Sequence, residues 1–275
     1  MQAHWVASFI PSNLNNYAEI FGGAYWVYIR SNISPKHAIY NDFNPFMCNL
    51  FACSREYNKF LPYIEILKPM DQETFIRCQK YVINFNKSGE KIKMPNFELA
   101  ASYVYVVVQC FSGLISGNIA KAKMAPRKYG DAVLDVLPFV NTLRRKEVQR
   151  KLDKIEVSNL SYEIAIEKYD SEDMVMYLDP PYYGTEKYYA FHNFGKKDHE
   201  RLADILKTTK SKWILSYYDF PDLVKWFPMD KYKWERKEYR KLAAAERGGK
   251  LDNKGEEILV MNYETNTDVV NTFFE

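Results

Sequence analysis

Met174-Val175-Met176-Tyr177-Leu178-Asp179-Pro180-Pro181-Tyr182 is an apolar run that stops at an acid, two prolines and an aromatic ring. Five such residues in a row read as a strand covered on both faces. The prolines end it, because each fixes φ and removes an amide donor that a ladder would need. A buried strand closing in this way delivers its polar groups to the carboxyl edge of a sheet, which is where open α/β sheets bind ligands. A plain strand exit could use the same residues, with Asp179 as a turn former and Tyr182 as packing. The neighbouring sequence argues for more. A carboxylate and a main-chain carbonyl are both acceptors, so Asp179 and the Pro180 carbonyl can together take the two hydrogens of an amino group. An aromatic amine is a weak nucleophile because its lone pair is delocalised. Holding its hydrogens in this way favours a pyramidal nitrogen and stabilises the positive charge that develops there. Tyr182 adds a face on which an extruded base can stack.

Working outward, Tyr17-Ala18-Glu19-Ile20-Phe21-Gly22-Gly23 reads as a second strand running into a glycine turn, where missing side chains let a ligand approach the backbone. His37–Tyr40 ends in Asn41-Asp42-Phe43-Asn44. Asp42 thus stands at another strand end, at the offset from the glycine turn where an acid commonly meets a ribose hydroxyl; a helix N-cap is its plainer reading. Further strands are expected near Lys36–Tyr40, Lys154–Val157, Lys212–Ser216 and Ile258–Met261. Helices are expected over Phe46–Asn58, Phe97–Leu114, Pro138–Leu152, Tyr162–Tyr169 and Asp198–Lys207. Alternating strands and helices are the signature of an α/β layer architecture.

The charge is uneven. Residues 55–154 hold 18 Lys or Arg against 10 Asp or Glu, a balance of +8, whereas the rest of the chain sums to −5. A basic middle segment in a catalytic core suits contact with phosphates; a solvated helical surface is an equal reading of charge alone. Arg127, Lys128, Arg144 and Arg145 are the candidates for DNA contact. The four cysteines form no CxxC pair, and His192 and His199 lack further ligands at metal-binding spacing, so buried free thiols and no metal are expected. Glu246–Lys254 reads as a loop, since its glycines do not open a helix after a strand. No apolar stretch nears the roughly 20 residues of a spanning helix and no signal peptide opens the chain, so a cytoplasmic protein with no membrane and no obligate protein partner is expected.

Taken together these residues resemble the Dam-like family of DNA adenine methyltransferases, with its DPPY motif at Asp179–Tyr182. The likeness covers most of the chain: Glu19, Phe21, Gly22 and Gly23 match the family's cofactor motif, and Asn41, Asp42 and Asn44 its next step. Similar patterns occur at Cys110–Leu114, Asp179–Tyr189, Asp198–Leu202, Trp213–Tyr217 and Glu256–Tyr263. The resemblance implies a Rossmann-like fold with a mixed seven-stranded sheet. Residues 1–54 and 155–275 would form the catalytic domain, and 55–154 a mostly helical target-recognition insertion. It implies S-adenosyl-L-methionine as cofactor, double-stranded DNA as partner, and site-specific transfer of a methyl group to the N6 of a flipped adenine. Asp179, Pro180, Pro181 and Tyr182 would be catalytic, with Glu19, Phe21, Gly22, Gly23, Asp42, Ser161, Tyr162 and Asp179 around the cofactor.

Two departures stand out. The Gly-x-Lys element that precedes the first helix in the family has no counterpart, and Ser161-Tyr162 occupies the place of an Asp-Phe pair, keeping a hydroxyl but losing a charge. A DNA-binding relative with impaired cofactor binding, and a methyltransferase acting on another amine, are therefore the alternatives.

Overall fold

The computed structural model describes residues 2–67, 71–110, 119, 123–124, 127–129, 132–134, 136–184, 194–240 and 254–265. In chain order the elements are α1 (Gln2–Ala7), β1 (Asn16–Glu19), α2 (Trp26–Arg30), β2 (His37–Asn41), α3 (Pro45–Arg55), α4 (Tyr57–Glu65), α5 (Gln72–Ser88) and α6 (Phe97–Gln109). There follow β3 (Arg127–Tyr129), β4 (Ala132–Leu134), α7 (Leu137–Leu143), α8 (Lys146–Leu152), β5 (Ile155–Ser158), α9 (Tyr162–Tyr169) and β6 (Met174–Leu178). The chain closes with α10 (Lys196–Thr208), β7 (Lys212–Tyr217), α11 (Leu223–Trp226), β8 (Lys233–Arg240) and β9 (Lys254–Met261).

Seven strands form one mixed sheet in the order β5-β2-β1-β6-β7-β9-β8, and β3 with β4 makes a separate hairpin. The fold is thus α/β. The pairs β1–β6, β2–β5 and β6–β7 are parallel; β7–β9 and β9–β8 are antiparallel. Every residue of β6 is buried, as its apolar run requires. The six expected strands all form, shifted at most by a few residues. The seventh, β8, escapes the reading because Lys-Trp-Glu-Arg-Lys-Glu-Tyr-Arg is dominated by charge. Its place at the sheet edge explains this, since charged edge strands resist pairing with other chains.

The chain divides into two compact units, Met1–Lys36 with Tyr162–Glu186 and Phe194–Glu275, and His37–Ser161 with Lys187–Asn193. In the first, α10 lays His199, Leu202, Ala203 and Leu206 inward at helical spacing. Trp213 on β7 is fully buried, and its indole N–H donates to the Leu206 carbonyl at 3.0 Å.

The second unit is built around α6, ten of whose thirteen residues are buried. Such a helix has no solvent face and must be surrounded; α3, α4 and α5 pack on it. Several expected helix ends move. Phe46–Asn58 breaks at Glu56, where the backbone leaves the helical region, so α3 and α4 replace one helix. The start of α3 is well specified, with Pro45 in its first turn and the Asn44 side chain accepting the Phe46 N–H at 3.0 Å. Pro138–Leu152 becomes α7 and α8, parted at the extended Arg145. α6 ends at Gln109; residues 111–114 of the expected helix, residues 185–189 of the Asp179 segment, His192 and residues 246–253 lie outside the described residues. The four cysteines are buried free thiols, as expected.

One polar pair ties this unit together. The Asn49 amide donates to the Asn96 carbonyl at 2.9 Å and its Oδ1 accepts the Asn96 N–H at 2.8 Å, while the Asn96 side chain caps α6 through the Leu99 N–H at 3.1 Å. Asn49 is fully buried. Replacing Asn49 with Ala should strand both backbone groups and lower stability by about 2 kcal/mol in urea unfolding; an unchanged midpoint would refute this role.

Candidate active site

Glu19 ends β1 and is buried, 2% exposed. Its Oε1 accepts the Tyr28 N–H at 2.8 Å and the Tyr17 hydroxyl at 3.1 Å. The carboxylate therefore fastens α2 back onto the strand end, and the chain between them must turn tightly. It does so through left-handed backbone at Gly23 (φ 47°) and Tyr25 (φ 57°), with the Tyr25 N–H donating to the Gly22 carbonyl at 2.7 Å. A left-handed aromatic residue is uncommon and carries local strain; here the Tyr25 ring is buried against Tyr28, centroids 4.9 Å apart. At Gly23 a side chain would meet nothing within 4 Å, so the backbone faces open space into which a ligand can come close. Phe21 stacks on Tyr162 at 5.7 Å, and Phe194 stands edge-on to Phe21 and tilted against Tyr162.

β6 runs parallel beside β1, with Glu19 opposite Tyr177 and the Ile20 N–H donating to the Tyr177 carbonyl at 3.1 Å. The glycine turn and the Asp179 loop therefore leave neighbouring strands at the same sheet edge. The sequence reading required this juxtaposition, and the first unit contains it whole.

Water reaches Asp179, yet enough protein surrounds its carboxyl that loss of bulk solvent is the largest influence on it, the setting of a group on the floor of an open cleft. That enclosure first, and then the nearby Glu257 carboxylate, push its pKa up to about 7, against an opposing hydrogen bond from the Tyr182 hydroxyl. Pro180 and Pro181 are buried. Tyr182 is more than a stacking face: its hydroxyl donates to Glu257 Oε1 and lies 3.1 Å from Ser216 Oγ, while its ring stands edge-on to Tyr218 at 4.2 Å. Tyr183 lies flat on Phe220, centroids 4.7 Å apart and planes within 4°. His199 is buried under these rings, its Nδ1 2.6 Å from the Tyr217 hydroxyl, which gives it a packing and hydrogen-bonding place. Glu257, Ser216 and Phe194 were not singled out from the sequence as site residues. Glu257 carries no mark in the sequence that sets it apart from Glu256.

The remaining candidates belong to the second unit. Asp42 is buried, and its Oδ1 accepts the Asn44 N–H at 2.7 Å; Ser161 directly precedes α9. Arg144 pairs with Glu65 at 2.5 Å and Arg145 with Glu147 at 3.9 Å, all on the surface. Arg127 and Lys128 lie on β3. Among the described residues no group of three or more His, Cys, Asp or Glu is placed to hold a metal ion, and no helix is long and apolar enough to cross a membrane.

A carboxyl whose pKa rises on folding binds more protons folded than unfolded between its ordinary 3.8 and its raised value. Its contribution to stability therefore falls as pH climbs through that window, and stays unfavourable above it. Asp179→Asn should raise the melting temperature at pH 8, with the difference closing below pH 4. Thermal unfolding at the two pH values tests this, and a variant less stable than wild type at pH 8 would contradict it.

Over residues 2–242 the chain matches the family described as D12 class N6 adenine-specific DNA methyltransferase. It is also similar to the Type II methyltransferase M.CviBI of Paramecium bursaria Chlorella virus NC1A, 24% identical over 124 residues, 43% of this chain and 44% of that protein. The likeness thus spans less than half the length of that relative. The family match, by contrast, runs from α1 through both compact units to β8, and the chain belongs to the D12 class N6 adenine-specific DNA methyltransferases.

Proposed function

We propose that this protein transfers the methyl group of S-adenosyl-L-methionine to the exocyclic N6 of an adenine turned out of double-stranded DNA, at a specific site. The observation that carries this reading is the emergence of the glycine turn and the Asp179 loop from adjacent parallel strands at one sheet edge. Family membership implies a methyl donor. The residues suit one: open backbone at Gly23, a stacked Phe21–Tyr162 pair for a planar base, and no protein cation paired with Asp179 among the described residues. When bound, the donor's sulfonium supplies an activated methyl group.

The protein's part is then positioning and electrostatics. Ionised Asp179 and the Pro180 carbonyl accept the two amino hydrogens. The buried prolines keep that carbonyl's direction set, and Tyr182 limits where the base can lie. We assign Glu19, Phe21, Gly22, Gly23, Ser161 and Tyr162 to the donor's side, and Asp42 to its ribose hydroxyls. The basic stretch 55–154, with Arg127, Lys128, Arg144 and Arg145, is assigned to the DNA. Both substrates meet in the cytoplasm of a bacterial or phage-infected cell, the compartment this reading requires.

Asp179→Ala should reduce methyl incorporation into unmethylated DNA by at least a thousandfold while DNA binding persists, and sequencing for N6-methyladenine in DNA from expressing cells identifies the target site. Full activity of the variant would overturn the assignment. Because only the ionised carboxylate is a pure acceptor, the single-turnover rate should rise as pH increases through about 7. A rate flat from pH 5.5 to 8.5 would show that Asp179 does not titrate in the step.

A further inference from the structure

Glu257 is a carboxylate that nothing in the mechanism above uses. It lies on β9 and is 5% exposed. Its neighbour Glu256 points to the other face of the strand, as alternation demands, and pairs with Arg236 at 2.6 Å; Arg236 also holds Asp219 at 3.0 Å. Glu257 instead faces the reacting edge, where its Oε1 accepts from both the Tyr182 hydroxyl and the Ser216 hydroxyl. Two acids in sequence are thus divided by the pleat into a surface ion pair and a buried acceptor.

Among the described residues, the groups that act on Asp179 are acids and phenols. Glu257 faces it from β9, the Tyr182 hydroxyl from its own loop, and the Tyr177 hydroxyl from β6; Tyr177 in turn feels Glu19 on β1 and bonds Ser216 on β7. Among the described residues no lysine or arginine pairs with Asp179. Enclosing a carboxylate among hydroxyls beside a second acid disfavours its ionised form, and such arrangements gather at functional sites. The Tyr182 hydroxyl has one proton and two carboxyls within its reach.

We propose that Glu257 is a positioning residue of the methyl-transfer site, acting through Tyr182. By accepting from the phenol it holds the Tyr182 ring in place, with the hydroxyl kept within reach of Asp179. Its negative charge makes Asp179 a stronger base. This inference rests on the methyltransferase reading, in which the reacting nitrogen gains a carbon and sheds a proton. The N–H bond breaks with its electron pair left on nitrogen, and an O–H bond forms on Asp179. A carboxylate made more basic by a like charge accepts that proton more readily.

Two variants should act in opposite directions. Glu257→Gln keeps the size and an acceptor oxygen but removes the charge, so Asp179 should titrate lower by on the order of one pH unit. Tyr182→Phe removes the hydroxyl that favours ionised Asp179, so titration should move upward. The Asp179 carboxyl carbon, assigned in NMR spectra by its loss in Asp179→Asn, reports this directly in wild type and both variants. The acidic limb of the single-turnover rate should follow the same shifts.

If the Asp179 titration is the same in Glu257→Gln as in wild type, the inference is overturned. It is also overturned if the titration moves while the rate limb stays, or if both variants merely lower the plateau. Should Glu257→Gln fail to fold, the upward shift in Tyr182→Phe decides, and its absence counts against the proposal. A titration that moves as expected in a protein that methylates no adenine would sink the methyltransferase reading and leave the charge coupling standing.

Discussion

The parallel pairing of Asn16–Glu19 with Met174–Leu178 is the constraint on which the rest depends. Side chains alternate across a strand, so a slip of β1 by one residue would turn Glu19 to the face opposite its present partner Tyr177. In the observed register the two strand ends deliver a strained glycine turn and a rigid proline loop side by side. Neither segment has chemistry alone: the turn offers exposed backbone, and the loop offers acceptors. Backbone hydrogen bonding between the strands, extended by the Ile20 N–H, converts two separate peptides into one site.

Three acids at this edge show how surroundings assign roles to one functional group. Glu19 is engaged by a backbone N–H and a phenol, and serves as a structural tie between β1 and α2. Glu257 is engaged by two hydroxyls and stays within the protein. Asp179 alone is reached by water, and its enclosure favours the protonated form. The one most open to a substrate is thus also the one whose ionisation the fold resists, a common state of affairs where function and stability compete.

Much of this was legible in the sequence because strong local signals agree with the tertiary arrangement. The apolar run before Asp179 and the prolines after it can hardly form anything but a buried strand and a stiff exit. The glycine turn was legible for the same reason. The signals failed where tertiary context decides. β8 is charged because it lies on an edge, and in α5 the apolar residues Ile76, Tyr81, Ile83 and Phe85 blur the narrow buried stripe of Phe75, Cys78 and Val82. Glu56 divides the helix expected over Phe46–Asn58 with no Gly or Pro at the break to announce it. Glu257 is indistinguishable from Glu256 until the register of β9 is known. The separation of the two units likewise follows contacts distant in sequence, which periodicity does not report.

A helix without a wet side, such as α6, has a bearing on how this protein can diverge. Every neighbour reads its shape, through the Phe46–Tyr103 stack and the Tyr103 hydroxyl that receives the Asn44 amide. Substitutions there must conserve volume, while the outer faces of α4, α5 and α8 can drift with little penalty. Relatives that part company in lineage should therefore keep this rod nearly intact and differ in the bark around it.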